Sequence, residues 1–261
     1  MRRSIKLFLG NLRYEMLRVF SSWKIYSCFF LYIILIFTAV KMDTNLAVQA
    51  YGGLDIITGL SNLNKLLVIT AAFPVATIYY DDIIDNYAKQ VVLRSNKSSY
   101  ILSKIVVCAI ISFLISFAAL LIYSIVVAFK RGIGIGVVYP GNVFYDYAYG
   151  RMPFMALFAK AFLFSIVSSV YAVLGLALSA VMTGKFVAVA APLFMNMLME
   201  QIGNIMPKEL RLFNIQDGNS AYGLGTSGTL IVSIVVVAGY ILLAGIFFSY
   251  YVRKRIKDEI N

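Results

Sequence analysis

The side chains able to do ionic chemistry together are gathered in one stretch, Asp81 to Lys104, which reads DDIIDNYAKQVVLRSNKSSYILSK. Three acids, Asp81, Asp82 and Asp85, meet four bases, Lys89, Arg94, Lys97 and Lys104. At helical spacing Ile84, Tyr87, Ala88, Val91 and Val92 fall on one face, and Asp82, Asp85, Asn86, Lys89 and Gln90 on the other. Asp85 and Lys89 stand at i,i+4 in the favourable acid-first order. This predicts an amphipathic surface helix from about Asp82 to Val92, where a partner can push. Arg94 to Lys104 then reads as an anchor that holds the next segment at the headgroups.

The chemistry these carboxylates can do is bounded by what the chain lacks. It contains no histidine. That removes His-based acid–base catalysis, Ser-His-Asp chemistry, imidazole zinc sites and HExxH metalloproteases. Cys28 and Cys108 both lie in apolar runs, with no cation close in sequence to activate a thiol, and read as small buried apolar side chains. Lys160 is a different matter, because it stands in an apolar run, where an ionisable residue is a functional candidate by default. Arg151 and Pro153 lie close enough in sequence for Lys160 to snorkel outward instead. Both readings stay open.

The elements that must position these residues belong to a membrane. The 261 residues are 61% hydrophobic and 13% charged, with a mean hydropathy of +0.84; a soluble domain carries roughly 25% charged residues. The net charge of +11 sits in the ends and loops, which suits orientation in an anionic bilayer rather than nucleic-acid binding. The expected fold is an all-α membrane protein, residues 1–261 forming one transmembrane domain. Residues 1–23 read as an amphipathic interfacial helix: Ile5, Phe8, Leu9, Leu12, Met16, Val19, Phe20 and Trp23 share a face, and most of the bases lie elsewhere. Spans are expected at about 25–40, 66–80, 105–129, 154–182, 186–206 and 230–251. Pro74 marks a kink in the second span, and Ser98 or Ser99 caps the third. Ser168, Ala172, Gly175 and Ser179 form a small-residue face that lets helices approach closely. Short outer helices are expected between spans five and six. The Tyr- and Gly-rich loop holding Tyr139, Phe144, Tyr145, Tyr147 and Tyr149 reads as an aromatic belt at the headgroups.

Counting bases on alternate sides of six spans puts fifteen with the two ends, the 81–104 loop and the turn at Lys185, and seven on the opposite side. The positive-inside rule then places both ends and the 81–104 loop in the cytoplasm.

On these residues the chain resembles permease subunits of the ABC-2 type, the membrane half of ATP-driven exporters. The resemblance spans nearly the whole length and rests on the basic entry helix, six spans, an irregular segment between spans five and six, and the loop after span two. There Asp82 and Asp85 precede Arg94-Ser95, Lys97, Tyr100-Ile101-Leu102 and Lys104, similar to the family's RS…(K/R)xxY(I/L)LxK entry to span three. Where many members carry Glu followed by Gly-Thr, this chain reads Asp85-Asn86-Tyr87.

The resemblance implies a coupling helix in the 82–92 stretch, with Asp82, Ile84, Asp85, Tyr87, Lys89, Val91 and Arg94 meeting a separate P-loop ATPase. It also implies a second permease subunit, identical or different, and export of an amphipathic peptide, antibiotic or lipid-like substrate from a bacterial plasma membrane. No GxxxxGK[ST] occurs in the sequence, so the chain itself holds no P-loop cofactor, and ATP and magnesium belong to the partner. An ATP-independent carrier using Lys160, a non-transporting immunity or assembly subunit, and a membrane-embedded enzyme are the alternatives.

Overall fold

A computed structural model describes residues 2–43, 49–60, 63–85, 87, 91, 96–134, 142–150, 152–182, 184–218 and 224–260. Lys89 and Arg94 lie outside the described residues, as do Tyr139 and Arg151. The described chain is helical, with no strand among those residues. Its elements are α1 (Arg2–Phe20), α2 (Trp23–Asp43), α3 (Ala50–Asp55) with a π-helical turn (Ile56–Leu60), α4 (Asn64–Ala76), α5 (Ile78–Ile84), α6 (Lys97–Arg131), α7 (Tyr145–Tyr149), α8 (Pro153–Val181), α9 (Lys185–Gly203), α10 (Leu212–Asp217) and α11 (Gly225–Ile260). Six segments are long and apolar enough to cross a membrane: α2, α4 with α5, α6, α8, α9 and α11. Helices suit that setting because each satisfies its own backbone where no water can.

The bundle is built around α8. Its apolar stretch is 78% buried, against 17% for α9 and 22% for α11, and it packs against α4, α6, α9 and α11. Small residues make this possible. Ser165 and Ser179 on α8, and Ser116 and Ser124 on α6, return their hydroxyl protons to carbonyls one turn back. They therefore occupy little room and leave no polar hydrogen exposed between the helices. Ser168, Ala172, Gly175 and Ser179 are all buried within the bundle. At Gly175 a Cβ would sit 2.6 Å from the Pro192 ring, so the absent side chain lets α9 lie directly on α8.

The peripheral helices turn one stripe inward and apolar surface outward. On α2 the inward stripe is Ile25, Cys28, Tyr32, Ile36 and Ala39, spaced as one helical face. Phe30 and Ile34 point away, as do Leu242, Leu243 and Ile246 on α11. α9 is 19 residues long, about 28 Å, and reaches that length because the helix continues past Met199 to Gly203. α4 and α5 are parts of one path across the bundle. The chain stays in αR geometry at Thr77 but the helix is interrupted there, three residues after Pro74, whose ring removes one helical donor.

Two local expectations are corrected. α6 starts earlier than a serine cap would place it: Asn96 is the N-cap, its side chain accepting from the Ser98 N–H at 3.1 Å. Phe144 is fully buried beneath α8 instead of lying in a belt, whereas Tyr149 is exposed.

Candidate functional site

The acids of the 81–104 stretch do not all face outward. Asp82 is wholly buried, where the helical count had placed it on a polar outer face. The physical reason is a break in the helix. α5 ends at Ile84, with Asp85 as its C-cap, so the stretch is not one continuous helix from Asp82 to Val92. Asp82 belongs to the helix descending from the membrane and shares its inward side with Ile78 and Tyr79, which are buried too.

There Asp82 joins a four-charge cluster drawn from three elements. Arg18 on α1 pairs with its Oδ1. On α6, Lys104 Nζ lies 2.6 Å from Asp82 Oδ2 and 2.7 Å from Glu15 Oε2 on α1. Tyr100, one turn before Lys104, donates its hydroxyl proton to Asp82 Oδ2 at 2.7 Å. Glu15, Asp82 and Lys104 are each no more than 2% exposed. Two carboxylates and two cations, mutually hydrogen-bonded, offset one another, and such pairing is what makes buried charge tolerable. The Arg18 guanidinium shows the balance: burial lowers its pKa, but the hydrogen bond and charge of Asp82, with Glu15 behind, raise it overall.

Tyr87 roofs the cluster. Its ring lies under Arg18 at 4.9 Å and 5.8 Å from Lys104 Nζ, and it stacks on Tyr14 of α1 at 6.0 Å. Burial, then the charge of Glu15, raise its phenol pKa. Tyr87 and Val91 are thus half-buried against their own chain and not presented together on an open apolar face. Ile84 and Asp85 remain exposed. Nearby, Lys24 binds Asp81 at 2.8 Å and Thr77 Oγ1 at 3.3 Å, a second and more exposed tie between the start of α2 and α5. The result is a clasp: α1, α5 and α6 are locked by charge directly beneath an exposed corner at Ile84 and Asp85.

Sequence reasoning missed Glu15 and misjudged Lys104. The signal for Glu15 was present, since it is the single acid among the first 23 residues, next to an apolar stripe and three positions before Arg18. Lys104 was read as a headgroup anchor, but it is the eighth residue of α6, one helical step from the hydrogen-bonded Tyr100, and points into the bundle.

Lys160 is buried at the opposite end of the bundle and does not snorkel. It pairs with Asp55 at the end of α3, and its ammonium faces the rings of Tyr51 at 5.1 Å and Phe144 at 5.4 Å. Phe144 reaches this position beside Gly218, which caps α10 in the left-handed region (φ +76°). A Cβ there would meet the Phe144 ring at 2.6 Å. Asp217, just before that glycine, is a second acid within electrostatic range of Lys160. Also at this end, a cleft of about 390 Å³ lies between α4, α9 and α10, with Asn64, Lys65, Tyr171, Asn196 and Glu200 in its walls.

No family model, curated protein or solved structure matches this chain. The function must be argued from these two charged centres.

Proposed function

We propose that this chain is the membrane-embedded permease of an ATP-driven exporter of ABC-2 type, coupled to a separate P-loop ATPase through the corner at Ile84 and Asp85. The observation that carries the reading is the clasp. A force applied at the exposed end of α5 meets Asp82 within one turn. From there it passes through Arg18 and Lys104 into α1 and α6, because those contacts are short, buried and charged. An exposed docking corner wired to the second and third spans is what coupling to an external motor requires.

Other features support the same arrangement. The chain's two ends lie at the clasp end of the bundle, α1 through Arg18 and α11 through Arg253, which donates to Ser98 Oγ at 3.1 Å. Their bases support a cytoplasmic position for that end, where an ATPase would stand, and a position for α1 in the headgroup layer. Lys89 and Arg94 would add polar contacts to the partner. A second permease, identical or different, completes the exporter, and an amphipathic peptide, antibiotic or lipid-like molecule passes outward between the two. Lys160, buried and paired with the part-exposed Asp55, favours one other reading, an ATP-independent carrier in which this pair is the coupling charge.

The test is a pull-down from native membranes. Ile84→Asp combined with Asp85→Lys leaves the clasp intact, and should remove a co-purifying P-loop ATPase while the chain stays folded and membrane-inserted. Retention of the ATPase at the wild-type level overturns the docking corner. If no ATPase accompanies the wild type and Lys160→Met abolishes transport, the carrier reading takes its place.

A further inference from the structure

The clasp leaves unused a second charged feature, at the end of α11. Beyond the apolar part of that helix come four bases in five residues, Arg253, Lys254, Arg255 and Lys257. Three of them, Arg253, Lys254 and Lys257, border a shallow groove of about 800 Å³ that continues inward along Tyr250, Ser249 and Ile246. Positions 246, 250, 253 and 257 recur every three or four residues, so the groove runs along one helix face. Its inner part is apolar and open, with Ile246 67% and Tyr250 63% exposed. Its outer part is cationic, lined by Arg253, Lys254 and Lys257.

A second helix borders the cationic part. Arg253 Nη2 donates to Ser98 Oγ at 3.1 Å, which brings the first turn of α6 alongside. That 35-residue helix starts at Lys97, so the partial positive charge of its N-terminus lies beside Arg253.

We propose that this groove binds one anionic diacyl phospholipid. Arg253, Lys254, Lys257 and the first turn of α6 would hold the phosphate, Tyr250 would lie at the level of the glycerol, and an acyl chain would run down over Ile246. The order along the helix, apolar, then aromatic, then basic, matches the order of parts in such a lipid. A soluble anion would match only the outer third. The assignment needs the chain to be in a membrane but does not depend on the export reading.

The experiment is native mass spectrometry of the full-length protein released from micelles containing equal amounts of phosphatidylglycerol and phosphatidylcholine. The wild type should retain one phosphatidylglycerol in preference. The triple variant Arg253→Gln, Lys254→Gln, Lys257→Gln should weaken that retention on the order of a hundredfold, since each juxtamembrane base contributes about fivefold. A control with the same charge change at the other end, Lys130→Gln, Arg131→Gln, Lys208→Gln, should retain the lipid. Ile246→Asn changes no charge and should weaken retention several-fold, and millimolar glycerol phosphate should not displace the lipid. Equal losses in the triple variant and its control overturn the proposal in favour of bulk charge attraction. Unchanged retention in the triple variant overturns the site. Displacement by glycerol phosphate, or retention untouched by Ile246→Asn, overturns the diacyl assignment in favour of a free phosphate anion. Helicity by circular dichroism, equal across the variants, separates lost binding from lost fold.

Discussion

Lys104 and Lys160 occupy matching places and have been given opposite surroundings. Each is the eighth residue of its helix, about 11 Å from the helix start, at opposite ends of the bundle. Lys104 sits in a closed set of charges: Asp82 and Glu15 accept from it, Arg18 balances the second carboxylate, and Tyr100 completes the hydrogen bonding. Among the described residues Lys160 pairs with one carboxylate, Asp55, whose side chain is 45% exposed, and faces two aromatic rings. A closed set resists change, because losing any member strands the others in a medium that cannot solvate them. An open pair can exchange its partner with water. On this contrast the clasp is the rigid centre and the Lys160 pair the adjustable one.

The largest expected effect comes from breaking the closed set. Asp82→Leu leaves Arg18 and Lys104 with one carboxylate between them and should cost about 3–5 kcal/mol. In a thermal melt of the purified protein this appears as a fall of about 10 °C, or as loss of folded material. The double variant Asp82→Asn with Lys104→Met removes one charge of each sign and should recover most of that loss. A double variant no better than Asp82→Leu would show that the four side chains do not act as a set.

How far such a cluster can be read from sequence depends on the range of the contacts. The six membrane-length helices were legible because hydrophobic length is a property of each segment alone. The small-residue face of α8 was legible for the same reason. Lys104 and Glu15 are 89 positions apart, and Arg18 and Asp82 are 64 apart, so no local spacing announces either pair. The helical count from Asp82 to Val92 failed in an instructive way. It assumed one helix, but α5 ends at Ile84, so the count does not carry from Asp82 to Tyr87. Ile84, which the count put on the face opposite Asp82, is exposed. Lys160 was legible as unusual but not as paired, since Asp55 lies on a helix far away in sequence that packs beneath α8.

Lys160→Met probes the open pair. The partner left behind is part-hydrated, so the expected cost is ~1–2 kcal/mol, well below that of Asp82→Leu. The melt should shift by a few degrees and the membrane-inserted fold should persist. A loss as large as that of Asp82→Leu would mean that the far end is as closed as the clasp and would remove the contrast.

The smallest effect has the most informative sign. Asp217 is a carboxylate near Lys160, and if it were a true partner its pKa would be depressed. Instead burial raises it, and the opposing charge of Lys160 only moderates the rise. A carboxyl whose folded pKa lies above its ordinary value of 3.8 binds its proton more tightly in the folded protein. Stability therefore falls as pH rises through the window above 3.8, and the deficit is complete once pH exceeds the folded value. Asp217→Asn removes the deficit. At neutral pH the variant should melt about 2 °C higher than the wild type, the shift that ~1 kcal/mol makes in a chain of this size. The gap should close as the pH is lowered below 3.8, where the wild-type carboxyl is protonated in both states. A variant that melts lower than the wild type at neutral pH would make Asp217 an ion partner of Lys160. The far end would then hold two carboxylates about one lysine, a second cluster rather than a single open pair.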